Sequence, residues 1–154
     1  MTRFIAAATA ILIALPAWAE NGVTETDPAP APETLQIIDV ADHTLAEYLW
    51  LARLVVVFAD SPNDPRFVQQ MEYIAERPDD LFARDVIILT DTDPAAGSAI
   101  REDLRPRGFA MVLIGKDGAI YLRKPTPWNV RELTRSIDKM PIRQQELREM
   151  RGME

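Results

Sequence analysis

The chain has 154 residues, one histidine, no cysteine and a net charge of −7. The missing thiol removes cysteine catalysis, disulfide stapling and cysteine-bearing metal sites together, and a lone histidine removes multi-histidine ligand sets. The negative charge opposes nucleic acid and anionic lipid surfaces.

Met1–Ala19 carries one cation, Arg3, then a small and apolar run from Phe4 to Leu15, a break at Pro16 and alanines on both sides of Trp18. This is the layout of a secretory signal peptide cleaved after Ala19, and roughly a dozen apolar residues fall short of the ~20 that span a bilayer. A periplasmic or secreted location follows as an expectation, with a mature chain that is soluble after cleavage. Glu20–Thr34 is built of Pro, Ala, Thr and acids around Asp27-Pro28-Ala29-Pro30-Ala31-Pro32. Such a stretch buries too little apolar surface to offset its chain entropy and reads as a flexible tether. Residues 35–154 suit one domain with one core. Acids occur without Lys or Arg from Glu20 to Trp50, whereas Arg131–Arg151 is rich in arginine; both read as solvated faces.

Leu35–Val40 predicts a first edge strand without a clean apolar face. Thr44–Leu51 places Leu45, Tyr48, Trp50 and Leu51 at near-helical spacing after the capping residues Asp42 and Thr44, which predicts a short helix. Leu54–Phe58 is continuously apolar and β-branched, the mark of a strand covered on both faces. Pro65–Arg77 puts Phe67, Met71, Ile74 and Ala75 on one helical face, and Val86–Leu89 is a second buried strand, so the three form a βαβ unit with parallel strands. A short helix is expected from Pro94 to about Leu104. Phe109–Ile114 and Ala119–Arg123 flank Gly115-Lys116-Asp117-Gly118, where Asp-Gly signals a hairpin turn. No glycine-rich loop precedes Gly115-Lys116, so a phosphate-binding loop is excluded. Thr126 and Pro127 predict an N-cap and first-turn proline, followed by the stripe Val130, Leu133, Ile137 and Met140, stopped at Pro141. Gln144–Met150 adds a charged turn or two.

The order β, α, β, α, β-hairpin, α is an α/β, thioredoxin-like layout: a small mixed sheet with helices on both faces. In that layout chemistry sits after the first core strand, where the following helix's dipole favours a thiolate. Here the position holds Asp60, Ser61, Pro62, Asn63, Asp64 and Pro65, none of them a redox nucleophile. The cis-proline position opening the third core strand falls on Ala110, where a cis bond would cost about 3–4 kcal/mol, so a trans bond is expected. Asp64 before Pro65 reads first as a helix cap worth about 1 kcal/mol. Grouping Asp60, Asn63 and Asp64 with Asp91 and Asp93 would supply oxygens for a hard cation such as calcium, but no calcium-loop spacing supports it. His43 reads as a helix-start residue, and Trp50 and Trp128 as packing residues. No cofactor or metal is expected.

Trp50-Leu51-Ala52-Arg53 leading into Leu54–Phe58, the Leu113–Gly118 turn and the run Ile137–Glu146 resemble a thioredoxin-like domain-of-unknown-function family. That family is known from exported bacterial proteins and, in relatives, from animal extracellular matrix proteins. The resemblance covers about Leu45 to Arg148. A suggested kinship of the wider family with peroxiredoxins implies an oxidoreductase, from which this chain departs by having no sulfur at the peroxidatic position. The closing motif, with Arg143, Gln144, Gln145 and Glu146 after Pro141, either locks the tail onto the body or recognises a partner.

The expected function is that of an exported, cysteine-free binding module without thiol redox activity, its partner an envelope protein or small ligand. Asp60, Ser61, Asn63, Asp64, Arg143, Gln144 and Glu146 are the candidate contact residues. The competing reading is a peroxiredoxin-like oxidoreductase, or another enzyme such as a carboxylate-based hydrolase, acting without a cysteine of its own.

Overall fold

A run as apolar as Leu54–Phe58 is stable only away from water. In the computed structural model, which describes residues 32–153, it forms most of the central strand. The sheet has five strands: β1 (Gln36–Asp39), β2 (Arg53–Phe58), β3 (Val86–Asp91), β4 (Ala110–Ile114) and β5 (Ile120–Lys124), in the order β1-β3-β2-β4-β5. β2 is parallel to β3 and antiparallel to β4, and every residue of β2 is buried. β1 lies parallel beside β3 at one edge, and β5 closes the other edge as the hairpin partner of β4. The expected leader lies outside the described residues, as does the tether apart from 32–34. No helix among the described residues is long and apolar enough to cross a membrane.

Side-chain alternation sends β2 to both faces. Val55 and Val57, with Ile88, Met111 and Leu113, pack against Ile74 of α1 (Pro65–Glu76), Leu81 of α2 (Pro78–Phe82) and Leu133 and Ile137 of α4 (Val130–Asp138). Leu54, Val56 and Phe58, with Leu89, Val112 and Ile114, pack against Ile100 and Leu104 of α3 (Ala99–Leu104) and against Leu45 and Tyr48 of a 3-10 helix, Leu45–Tyr48. Each such side chain stabilises the fold by roughly 1.5–3 kcal/mol when fully buried. The expected α/β, thioredoxin-like layout is therefore present, with helices on both faces of a mixed sheet.

Several boundaries differ from the sequence reading. The first helix is a single 3-10 turn held by a reciprocal cap between Thr44 and Glu47. It stops at Tyr48 because Trp50 takes a left-handed conformation (φ 64°) with its N–H on Lys116 O at 2.7 Å. Trp50 and Leu51 are consequently 65% and 71% exposed, so Trp50 is not a packing residue; Trp128, by contrast, does pack against the core. The segment after Pro94 is split by Gly97 (φ 57°) into a 3-10 turn, Pro94–Ala96, and α3. α4 begins after Asn129, whose side chain accepts the Glu132 N–H, and not at Thr126-Pro127. Pro141 does not simply stop a helix: it is the first residue of α5 (Pro141–Gly152), in keeping with the preference of proline for a first turn. α2 lies outside the elements that periodicity predicts, although Pro78 with Asp79 and Asp80 in the first turn is a helix-start pattern.

On α1, Ala75 is exposed and Gln70 is buried instead. Gln70 Nε2 donates to Trp128 O (3.0 Å) and its Oε1 accepts the Trp128 N–H (2.8 Å), tying α1 to the segment that leads into α4. Glycine is required at the hairpin: a side chain at Gly115 would press into Asp117 and Tyr121, and Gly118 sits at φ 77°. Gln70→Leu keeps the volume but strands both backbone groups of Trp128, so urea unfolding should show a loss of about 1–3 kcal/mol. An unchanged midpoint would show that the paired amide contributes nothing.

Candidate functional site

Parallel pairing of β2 with β3 brings the loops after both strands to one end of the sheet, and antiparallel β4 begins at that same end, with Ala110 opposite Phe58. The Asp60–Pro65 loop lies there. Asp60 and Asn63 are exposed. Ser61 organises the turn: its Oγ accepts the Asn63 N–H (3.2 Å) and its carbonyl accepts the Asp64 N–H (3.1 Å). Asp64 caps α1 as expected, accepting the Arg66 N–H at 2.9 Å and pairing with the Arg66 guanidinium at 2.8 and 3.1 Å. The hydrogen bonds from Arg66 hold the Asp64 carboxyl below the ordinary carboxylate range. The loop bounds an open depression of about 420 Å³. Arg66 also lies over Phe109, 5.5 Å from the ring centre. The peptide bond preceding Ala110 is trans.

The oxygens of this end do not converge. Asp91, buried at the end of β3, accepts from Ser98 Oγ (2.7 Å) and from Arg101 Nε and Nη2 (3.0 and 2.8 Å), while Arg101 reaches Ala59 O. Burial pushes the Asp91 carboxyl up, but the hydrogen bonds from Arg101 and Ser98 outweigh it and leave it below the usual range. Asp93 caps the 3-10 turn through the Ala95 N–H. Among the described residues no group of three or more His, Cys, Asp or Glu side chains is placed to hold a metal ion. His43 Nδ1 contacts Glu47 Oε2 at 2.9 Å and Tyr48 Oη at 3.1 Å, beside the first 3-10 turn.

Arg143, Gln144 and Glu146 lie at the opposite end of the sheet, so the candidate contact residues fall into two separate groups. Arg53 opens β2 with no exposure at all. Its guanidinium donates to Arg84 O and to Glu146 Oε1, both at 2.9 Å. Lys116, from the hairpin turn, binds Asp85 Oδ2 (2.8 Å) and Glu146 Oε1 (3.0 Å), and Arg143 binds Glu146 Oε2 at 3.1 Å. Gln144 donates to Asp138 O, and Arg84 grips the Asp138 carboxylate at 2.8 and 2.9 Å. The closing motif thus binds α5 to the foot of the sheet. Composition and periodicity did not reveal the roles of Arg53, Arg101 and Gln70; the one available signal was an arginine set directly against the apolar run of β2.

A mixed sheet in this order, flanked by helices on both faces, defines a thioredoxin-like domain. The chain belongs to the family described as Domain of unknown function (DUF4174), whose profile matches residues 44–146. It is similar to Coiled-coil domain-containing protein 80 of Danio rerio, at 28% identity over 136 residues, 69% of this chain but 16% of that protein. The chain thus spans about a sixth of that relative's length. Among solved structures it is similar to reduced 2-Cys peroxiredoxin of Plasmodium vivax (TM-score 0.51, 17% identity, 66% of this chain and 83% of that one). Thioredoxin peroxidase I of Plasmodium yoelii aligns with a TM-score of 0.45 at 16% identity, over 62% of this chain and 76% of that one. At 17% identity the likeness to the Plasmodium vivax structure concerns the fold alone.

Burial alone would raise the Glu146 carboxyl, but the hydrogen bonds from Arg53, Lys116 and Arg143 overcome it and hold the group at about 2, against an ordinary 4.5. A depressed carboxylate contributes stability that is complete above its unfolded value and lost as pH falls through its folded one. The contribution of Glu146, at most roughly 3 kcal/mol, is therefore expected to fade between pH 4.5 and about 2. Urea unfolding of the wild type and of Glu146→Gln should show a stability gap that narrows across that window. A gap independent of pH would remove this account.

Proposed function

We propose that this protein is an exported, non-catalytic thioredoxin-like module that works by contact with an envelope protein or a small ligand. The observation that supports the reading best is the content of the loop after β2. Where a thioredoxin-like fold presents its reactive sulfur, this chain has Asp60-Ser61-Pro62-Asn63-Asp64-Pro65 and no cysteine anywhere. A fold can keep its scaffold and exchange its chemistry for another use. Ser61 and Asp64 serve the turn and the α1 cap, and Asp60 and Asn63 remain exposed beside them. An exposed polar loop held by a rigid scaffold is a place where contact residues commonly sit. The signal peptide read in Met1–Ala19 supports an address outside the cytoplasm.

Two measurements test the reading. The full chain should consume peroxide and reduce disulfides no faster than its heat-inactivated control; turnover above that control would favour a peroxiredoxin-like oxidoreductase or another enzyme acting without its own cysteine. Crosslinking in intact cells should capture a defined partner. Combined alanine substitution of Asp60, Ser61 and Asn63 should reduce that capture by about tenfold or more. Undiminished capture would move the interface away from the loop.

A further inference from the structure

We propose that the groove between the α3–β4 connection and the end of β5 binds an acidic, extended peptide with apolar side chains interspersed among its carboxylates. The inference rests on the contact-module reading and adds to it a second surface and the chemistry of its occupant.

The groove holds about 470 Å³. Buried Phe109 and Ala110 contribute an apolar floor, and its rim carries Arg105, Arg107, Arg123 and Lys124, with no acid among the lining residues. In a chain of net charge −7 this concentration of cations runs against the average field. At the foot of the sheet Arg53, Arg84, Lys116 and Arg143 are all paired with carboxylates. The rim cations differ: among the described residues none of the four takes part in an ion pair. Arg123 donates to Leu104 O at 2.8 Å and Lys124 lies 4.6 Å from the centre of the Trp128 ring, both neutral contacts. Four positive charges with no ion-pair partner among the described residues attract an anionic ligand.

A second observation is the backbone at Arg105. It closes α3 in a left-handed conformation, φ 46°. That position favours glycine or asparagine, and an ordinary side chain there is strained. The chain carries a guanidinium at this unfavourable site, on the groove rim.

Two features favour a peptide over a small inorganic anion. The floor is apolar, which a bare phosphate cannot use, and β5 is an edge strand whose outer side is unpaired within the sheet. An extended segment can add to such an edge while its alternate side chains enter the groove. Asp60 stands beside Gly108 on the loop side, so the attractive field lies toward β5.

The test uses the full chain and a fluorescein-labelled peptide of alternating glutamate and leucine, followed by anisotropy. Saturable binding that weakens with added salt is expected, together with a loss of roughly tenfold or more in Arg105→Glu/Arg107→Glu and retention in Arg105→Lys/Arg107→Lys. Thermal melts of both double variants should match the wild type, since neither residue has an ion pair to lose among the described residues. Three results would overturn the proposal: no saturable binding, binding indifferent to the charge reversal, or a glutamate–serine peptide or pyrophosphate competing as well as the glutamate–leucine peptide. Neither arginine belongs to the Asp60–Asn63 loop. An inert groove in a protein whose loop variants lose their partner would end this proposal and leave the contact-module reading standing.

Discussion

A guanidinium with no access to solvent sits at the first residue of the central strand, and much of the architecture follows from the need to satisfy it. A buried guanidinium needs a counter-charge and acceptors for its five N–H donors. An unpaired charge there would destabilise the fold by several kcal/mol. Glu146 supplies the counter-charge and Arg84 O a second acceptor, which places α5 and the approach to β3 beside the start of β2. Lys116 joins from the hairpin turn through the same Glu146 carboxylate, so the network around Arg53 links three segments far apart in the chain. This also explains why α5 docks although none of its residues is buried: electrostatics and hydrogen bonds hold it, not an apolar stripe.

The two ends of the sheet are physically unlike. At the foot, the strong charges compensate one another and the backbone carbonyls are engaged, a composition suited to rigidity. At the other end the acids serve local purposes: Asp64 caps α1, Asp93 caps a turn, and buried Asp91 fastens α3 through Arg101 and Ser98. What remains there is an exposed polar loop and a rim of cations that, among the described residues, have no carboxylate partners. A thioredoxin-like scaffold with no cysteine thus still has a tightly paired foot and a chemically distinct face at the other end.

Elements whose burial is dictated by continuous apolar sequence were legible from the residues. β2 and β3, the Lys116-Asp117-Gly118 turn and the α4 stripe Val130, Leu133 and Ile137 fell where composition placed them. Misreadings gathered where short-range preference and long-range contact disagree. Trp50 has the composition of a core residue yet is exposed, because a left-handed turn satisfies its N–H on Lys116 O and carries the chain into β2. Pro141 looks like a terminator but opens α5, a helix too polar for periodicity to reveal. Ala75 matches the apolar face of α1, whereas the core takes Gln70, since the backbone of Trp128 needs a partner there.

By itself the sequence determined the α/β order, the covered central strands, the hairpin and the lack of any thiol, because each depends on side-chain chemistry within a few residues. Only the tertiary structure decided that Arg53 is the buried ion, that Glu146 answers it across 93 positions, and that Arg105, Arg107, Arg123 and Lys124 share one groove. Those facts depend on which distant segments meet, and a charge's partner and its exposure are properties of the packed chain, not of its neighbours in sequence.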